Sequence, residues 1–181
     1  MEVSLGFHMI FAALGIGLPH LLLIAEGLWL KTGHAHYREL ARQWAKATAL
    51  TFAVGAVSGT ALSFELGLLW PEFMRQAGAT VGSAFTLEGF AFFIEAIFLG
   101  LYLYGWDRLS PRAHFLTGIP VAVSGLASGI LVVAVNAYMQ YPALDAAGQV
   151  RTDPLAPFAS PAWLHMSLHS SLSCYIATGF A

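Results

Sequence analysis

Apolar residues in this chain gather into five long runs separated by short polar stretches, without the period-two alternation of a half-buried strand. The runs cover residues 4–30, 45–70, 80–106, 115–139 and 163–181. The first four are long enough for a helix to cross a hydrocarbon layer, which takes about 20 residues. The fifth, from Trp163, is slightly short and stops at Ala181 with no flanking charge, cap or loop. We therefore expect the natural chain to continue past it. The predicted fold is all-α: a polytopic transmembrane helical bundle of about five spans, the last one truncated. Most connections are short and polar. Gln140–Ala162, rich in Pro, Ala and Asp, reads as an irregular surface loop. Small residues four apart, Gly55/Gly59 and Gly125/Gly129, would let helices approach closely.

Four glutamates interrupt these runs: Glu26, Glu65, Glu88 and Glu95. A carboxylate in hydrocarbon is costly and marks an ion path, a proton relay or a ligand position. Glu88 and Glu95 share one predicted helix, and seven residues is nearly two turns, so they lie on one stripe roughly 10 Å apart. Two acids on one stripe suggest a pathway.

Composition supports the membrane reading. Apolar residues make up 57% of the chain and charged ones 10%, with a mean hydropathy of +0.68, outside the soluble norm. A net charge of −2 argues against a nucleic-acid surface. The single cysteine, Cys174, excludes an internal disulfide framework and a cysteine-based metal cage, and reads as a small apolar packing residue. Lys31, Arg38, Arg42 and Lys46 flank the first connection, and Arg108 and Arg112 the third. The other two hold only Arg75 and Arg151. By the positive-inside rule the N-terminus lies outside, with the first and third connections cytoplasmic. Trp29, Trp70, Trp106 and Trp163 fall near span ends, as interfacial tryptophans do.

With this orientation, spans one, three and five all enter from outside. Glu88 then lies roughly 10 Å below the outer edge and Glu95 a little past the midplane. His8 and His169 share the outer level with Glu88. Imidazole is the usual haem ligand, and a carboxylate can sit beside it or supply protons. From spacing alone each histidine can equally hydrogen-bond a carbonyl between helices.

The stretch Leu87-Glu88-Gly89-Phe90-Ala91-Phe92-Phe93-Ile94-Glu95-Ala96, followed by Gly105-Trp106-Asp107-Arg108-Leu109, resembles subunit I of the cytochrome bd-type quinol oxidases, and within them the cyanide-insensitive branch. His8-Met9-Ile10-Phe11, Ser63-Phe64-Glu65-Leu66-Gly67-Leu68-Leu69-Trp70, Asn136-Ala137-Tyr138-Met139-Gln140 and Leu168-His169 leading to Tyr175 match in order. The resemblance covers the whole chain.

It implies a quinol:oxygen oxidoreductase in a prokaryotic inner or plasma membrane, coupled to a proton gradient. By that resemblance His8 matches a ligand of one high-spin haem iron, His169 an axial ligand of the low-spin haem b iron, and Glu88 the acid beside or on the oxygen-binding haem. Glu95 matches the second acid of that helix, while Lys46 and Asp107 match positions of proton entry. The implied cofactors are a low-spin haem b, a high-spin haem b, and a haem d or further haem b, with quinol as substrate. The implied partners are oxidase subunit II, small accessory subunits, dioxygen and the lipid bilayer. In other branches the second acid falls one residue further along, a rotation of about 100° relative to Glu95. The methionine ligand of the low-spin haem, the remaining high-spin acid ligand and the quinol loop have no match in these residues, so the fragment alone is expected to be inactive.

Other polar residues receive plainer readings. His20 faces about 120° away from His8 and is expected at a helix interface. His34, His36 and His114 are placed in solvated cytoplasmic loops. His165, one turn before His169, competes with it for the ligand role. Glu26 and Glu65 lie near span ends, where a carboxylate can reach polar surroundings, and are read as either structural or proton-handling. Asn136 and Gln140 can pair helices or approach a haem. Two rivals remain: a haem-b electron-transfer protein without oxygen chemistry, which would not need Glu88 and Glu95, and a haem-free proton-coupled transporter, which would leave His8 and His169 idle.

Overall fold

The computed structural model describes residues 1–181 and contains helices α1 (Glu2–Thr32), α2 (Ala35–Leu69), α3 (Pro71–Gly105), α4 (Pro111–Gln140) and α5 (Trp163–Phe180), with a short 3₁₀ turn at Ala156–Ala159. No strand forms beyond an isolated bridge between Leu144 and Val150 in the loop before α5. The first four helices are each long and apolar enough to cross a membrane.

Local chemistry sets the breaks. α1 ends at Gly33, whose φ of 74° is left-handed and whose N–H closes on the Trp29 carbonyl at 2.8 Å, a conformation open to a residue without a Cβ. Trp70 alone separates α2 from α3, because Pro71 disfavours helical geometry in the residue before it and then starts the next helix. Ser110 caps α4 by accepting from the Ala113 N–H, and Pro111 follows at the first helical position.

The helices run past the expected apolar spans, through residues 35–44 and 71–79, so much of the polar sequence assigned to connections is helical. α1 packs along α2 and α3 along α4. α5 lies against α1 and α4, and α2 barely touches α3. Gly125 and Gly129 do seat neighbours from other helices, whereas only Gly59 of the Gly55/Gly59 pair does. The tightest approach is Gly17, where an added Cβ would lie 2.0 Å from Thr178 Oγ1, so α1 and α5 cross almost backbone to side chain. The loop before α5 is irregular, as expected, yet tied down: Thr80 Oγ1 donates to Thr152 O (2.6 Å), Tyr138 Oη to Arg151 O (2.7 Å) and Ser160 Oγ to Tyr141 O (2.7 Å).

Two expectations are overturned. His114 is not in a solvated loop: the Ser110–Pro111 cap starts α4 early enough to carry its imidazole inside the bundle, where it is 2% exposed. Glu26 does not reach polar surroundings at a span end. It is fully buried, because His114 and Tyr102 supply partners for its carboxylate.

Candidate functional site

Each expected ligand histidine has its own setting. On α1, the His8 Nδ1 lies 2.9 Å from Ser58 Oγ of α2. The Ser58 hydroxyl also lies 2.8 Å from the Val54 carbonyl and 3.1 Å from the Gly55 carbonyl, either of which can take its proton while its oxygen accepts from His8. With the imidazole proton on Nδ1, Nε2 would keep its lone pair, the arrangement in which an outer hydrogen bond orients a metal-ligating histidine. Gly59 makes room for the ring, since a Cβ there would lie 3.0 Å from His8 Cε1.

On α5, His165 and His169 are exposed and make no side-chain hydrogen bond within the chain. Both line a cavity of about 310 Å³ with Val133 and Asn136 of α4 and with Met166 and Ser170. Free imidazoles beside an open groove suit a haem iron, which His165 and His169 meet equally well. Asn136 borders the same groove, with its Oδ1 accepting from Gln140 Nε2 at 3.0 Å.

His20 contrasts with these. Its Nδ1 meets the Ile16 carbonyl at 2.9 Å and its Nε2 meets Tyr175 Oη at 3.3 Å, so both ring nitrogens are engaged between α1 and α5. It is the interface histidine expected. His34 and His36 are exposed at the start of α2.

On α3, Glu95 is buried (5% exposed) and Glu88 half-buried, and neither makes a side-chain hydrogen bond to the chain. Glu95 lies against Gly125 of α4. Glu65, near the end of α2, accepts from Ser4 Oγ at 2.7 Å and lies 3.4 Å from the N-terminal ammonium. The structure does not gather His8, Glu88 and His169 into one cluster: no group of three or more His, Cys, Asp or Glu side chains could hold a metal ion.

At the opposite end, Asp107 follows α3 and receives Arg38 Nη2 at 3.0 Å and Arg42 Nη2 at 3.1 Å. The Arg38 hydrogen bond, and then the Arg42 charge, hold its carboxyl below the usual aspartate range. Lys46, one turn beyond Arg42, is exposed. The first and third connections therefore meet at one end of the bundle.

Neither the buried group formed by Glu26, Tyr102 and His114 nor Ser58 as the partner of His8 was legible in the sequence. The Ser110–Pro111 cap was the one signal that could have moved His114 into a helix.

These helices define a multi-pass membrane protein whose α5 histidines are unpartnered within the chain. A family model described as cytochrome bd terminal oxidase subunit I matches residues 1–181, and the chain belongs to that family. The structure of bd oxidase from Geobacillus thermodenitrificans superposes with a TM-score of 0.90 at 39% identity, covering 99% of this chain and 42% of that one. A Bacillus subtilis (strain 168) protein provisionally named cytochrome bd menaquinol oxidase subunit I is 38% identical over 98% of this chain and 41% of its own length. Cytochrome bd-II ubiquinol oxidase subunit 1 of Escherichia coli (strain K12) is 34% identical over 75% of this chain and 27% of its own length. The chain thus spans about two-fifths or less of these relatives.

Proposed function

We propose that this chain contributes the α1–α5 portion of subunit I of a prokaryotic membrane oxidase that takes electrons from quinol and reduces dioxygen to water. The observation that carries this reading is the His8 imidazole held by Ser58 of α2, together with unpartnered imidazoles on the α4–α5 groove. His8 would hold a high-spin haem iron, and His169, with His165 as its competitor, a low-spin haem b iron. When bound, haem supplies one-electron transfer and, where an iron position is open, a place for dioxygen.

The chain's own residues provide for protons. Asp107 and Lys46, at the end where Arg38, Arg42, Arg108 and Arg112 cluster, would take protons from the cytoplasm. Glu95 and then Glu88, on one stripe of α3, would carry them outward, with ordered water filling the gaps between carboxylates. Glu88, the shallower acid, would border or ligate the oxygen-site iron. Taking protons from inside while quinol protons leave outside builds a gradient, with the N-terminus outside. Oxidase subunit II, small accessory subunits and the bilayer would cover the apolar faces of α2 and α3, where Val57, Leu68, Phe90 and Phe93 are exposed.

A reduced-minus-oxidised absorbance spectrum of the oxidase carrying this sequence, in native membranes, tests the reading. Haem bands responding to both quinol and oxygen support it. Bands responding to quinol alone identify an electron-transfer protein, and their absence a transporter.

A further inference from the structure

The bundle contains a second titratable group that the reading above does not use. His114 Nε2 lies 2.8 Å from the Tyr102 carbonyl and Nδ1 lies 2.6 Å from Glu26 Oε1. A carbonyl only accepts, so Nε2 carries a proton. Two lone pairs cannot face each other at the Nδ1–Oε1 distance, so a second proton lies between them. The pair is then either imidazolium with carboxylate or imidazole with carboxylic acid, and in both forms its net charge is zero. Tyr102 Oη completes the group by donating to Glu26 Oε2 at 2.6 Å. Glu26 and Tyr102 have no exposed surface and His114 is 2% exposed, a setting in which a net charge would be costly.

The group is tightly seated. A Cβ on Gly118 would lie 2.9 Å from Tyr102 Cε2, and one on Gly105 would lie 3.1 Å from His114 Cδ2. Its outer side is the Trp106 ring, whose centroid is 4.1 Å from the His114 ring. Both guanidinium groups also lie over that indole, Arg38 Cζ at 5.7 Å and Arg42 Cζ at 5.5 Å from its centroid, within range of a cation–π attraction. The same guanidiniums hold Asp107. Contact thus runs unbroken from a charge-neutral buried pair to an exposed carboxylate, with Trp106 between.

We propose that Glu26, Tyr102 and His114 form a proton-sharing clamp that positions the Arg38–Arg42–Asp107 cluster through the Trp106 ring. The functional part of this proposal rests on Asp107 being a point of proton entry. Glu26 and His114 are positioning residues: they touch neither Asp107 nor a cofactor, and they tie the inner ends of α1, α3 and α4 around the indole. A neutral side chain of glutamate's shape preserves every bond. In Glu26→Gln the amide donates to His114 Nδ1, the amide oxygen accepts from Tyr102, and Nε2–H still reaches the carbonyl.

The test uses the assembled oxidase in nanodiscs, with hydrogen–deuterium exchange across residues 106–110 and quinol-oxidase turnover measured on each variant. His114→Phe should speed exchange at the Arg108 and Leu109 amides, both bonded to the Gly105 carbonyl, and Glu26→Gln should not. His114→Phe should lower turnover about fivefold or more in the wild-type background and about twofold or less on top of Asp107→Asn, the non-additivity of two changes acting at one step. If His114→Phe fails to assemble, Tyr102→Phe, which removes only a hydroxyl, takes its place with the same expectations. Unchanged exchange at residues 106–110 overturns the clamp. Faster exchange with additive turnover losses overturns its link to Asp107. Full turnover in Asp107→Asn alone removes the entry role, while the exchange result still decides whether the clamp holds the turn.

Discussion

Glu95 rests its carboxyl on the bare backbone of Gly125: a methyl group there would lie 3.1 Å from Oε1 and 3.2 Å from Oε2. Gly125→Ala should gain helix propensity of about 1 kcal/mol while pushing the carboxylate aside by a few tenths of an ångström. The expected outcome is an oxidase that folds and keeps its haem but turns over more slowly, as Glu95→Gln should. Glu88→Gln should instead disturb the oxygen-site haem spectrum. Full turnover in Glu95→Gln at normal haem content would make that residue structural.

Ser58 gives His8 a separate test. His8→Ala should remove the high-spin bands and oxygen consumption while sparing the low-spin spectrum. Ser58→Ala deletes the hydroxyl that meets His8 Nδ1, and loss of such an orienting bond costs about 10–100-fold in metal affinity or activity. The measurement is haem retained per protein after purification. Equal retention in Ser58→Ala and wild type would show that the α1–α2 bond does not orient a ligand.

His165 and His169 share one groove, so spectra of the two alanine variants decide between them. We expect His169→Ala to abolish the low-spin haem signal and quinol oxidation with the subunit still expressed, and His165→Ala to leave the signal in place. The reverse pattern reassigns the ligand to His165.

Asp107 has a lowered carboxyl pKa, so its pairing with Arg38 and Arg42 stabilises the fold above the unfolded value, about 3.9. That contribution disappears as pH falls through the still lower folded value. Thermal unfolding of wild type and Asp107→Asn in detergent should therefore differ modestly at pH 7 and converge in strong acid. Because the pair is exposed, added salt should shrink the difference. A gap that widens on acidification would contradict the assignment.

Much of this molecule is written locally. Runs of twenty or more apolar residues demand helices because an unpaired backbone cannot enter hydrocarbon, and Gly33, Pro71 and Ser110–Pro111 punctuate them through their own dihedral and capping preferences. The motif around Glu88 and Glu95 likewise points to the family from the residues alone. His20 could be set aside from its angle to His8, and its engaged nitrogens agree. Partnership is different, because it depends on which helix faces come together. Glu26 is 88 residues from His114 and 76 from Tyr102, Ser58 is 50 from His8, and Asp107 is 69 and 65 from its two arginines. Nothing in the neighbourhood of either partner encodes those pairings. Local pattern was enough for the helices, their order and the histidines and carboxylates offered as ligands and proton carriers. It took the packing of α1, α3 and α4 to make Glu26 and His114 buried partners, because a buried polar group is tolerable only where another element supplies its partner.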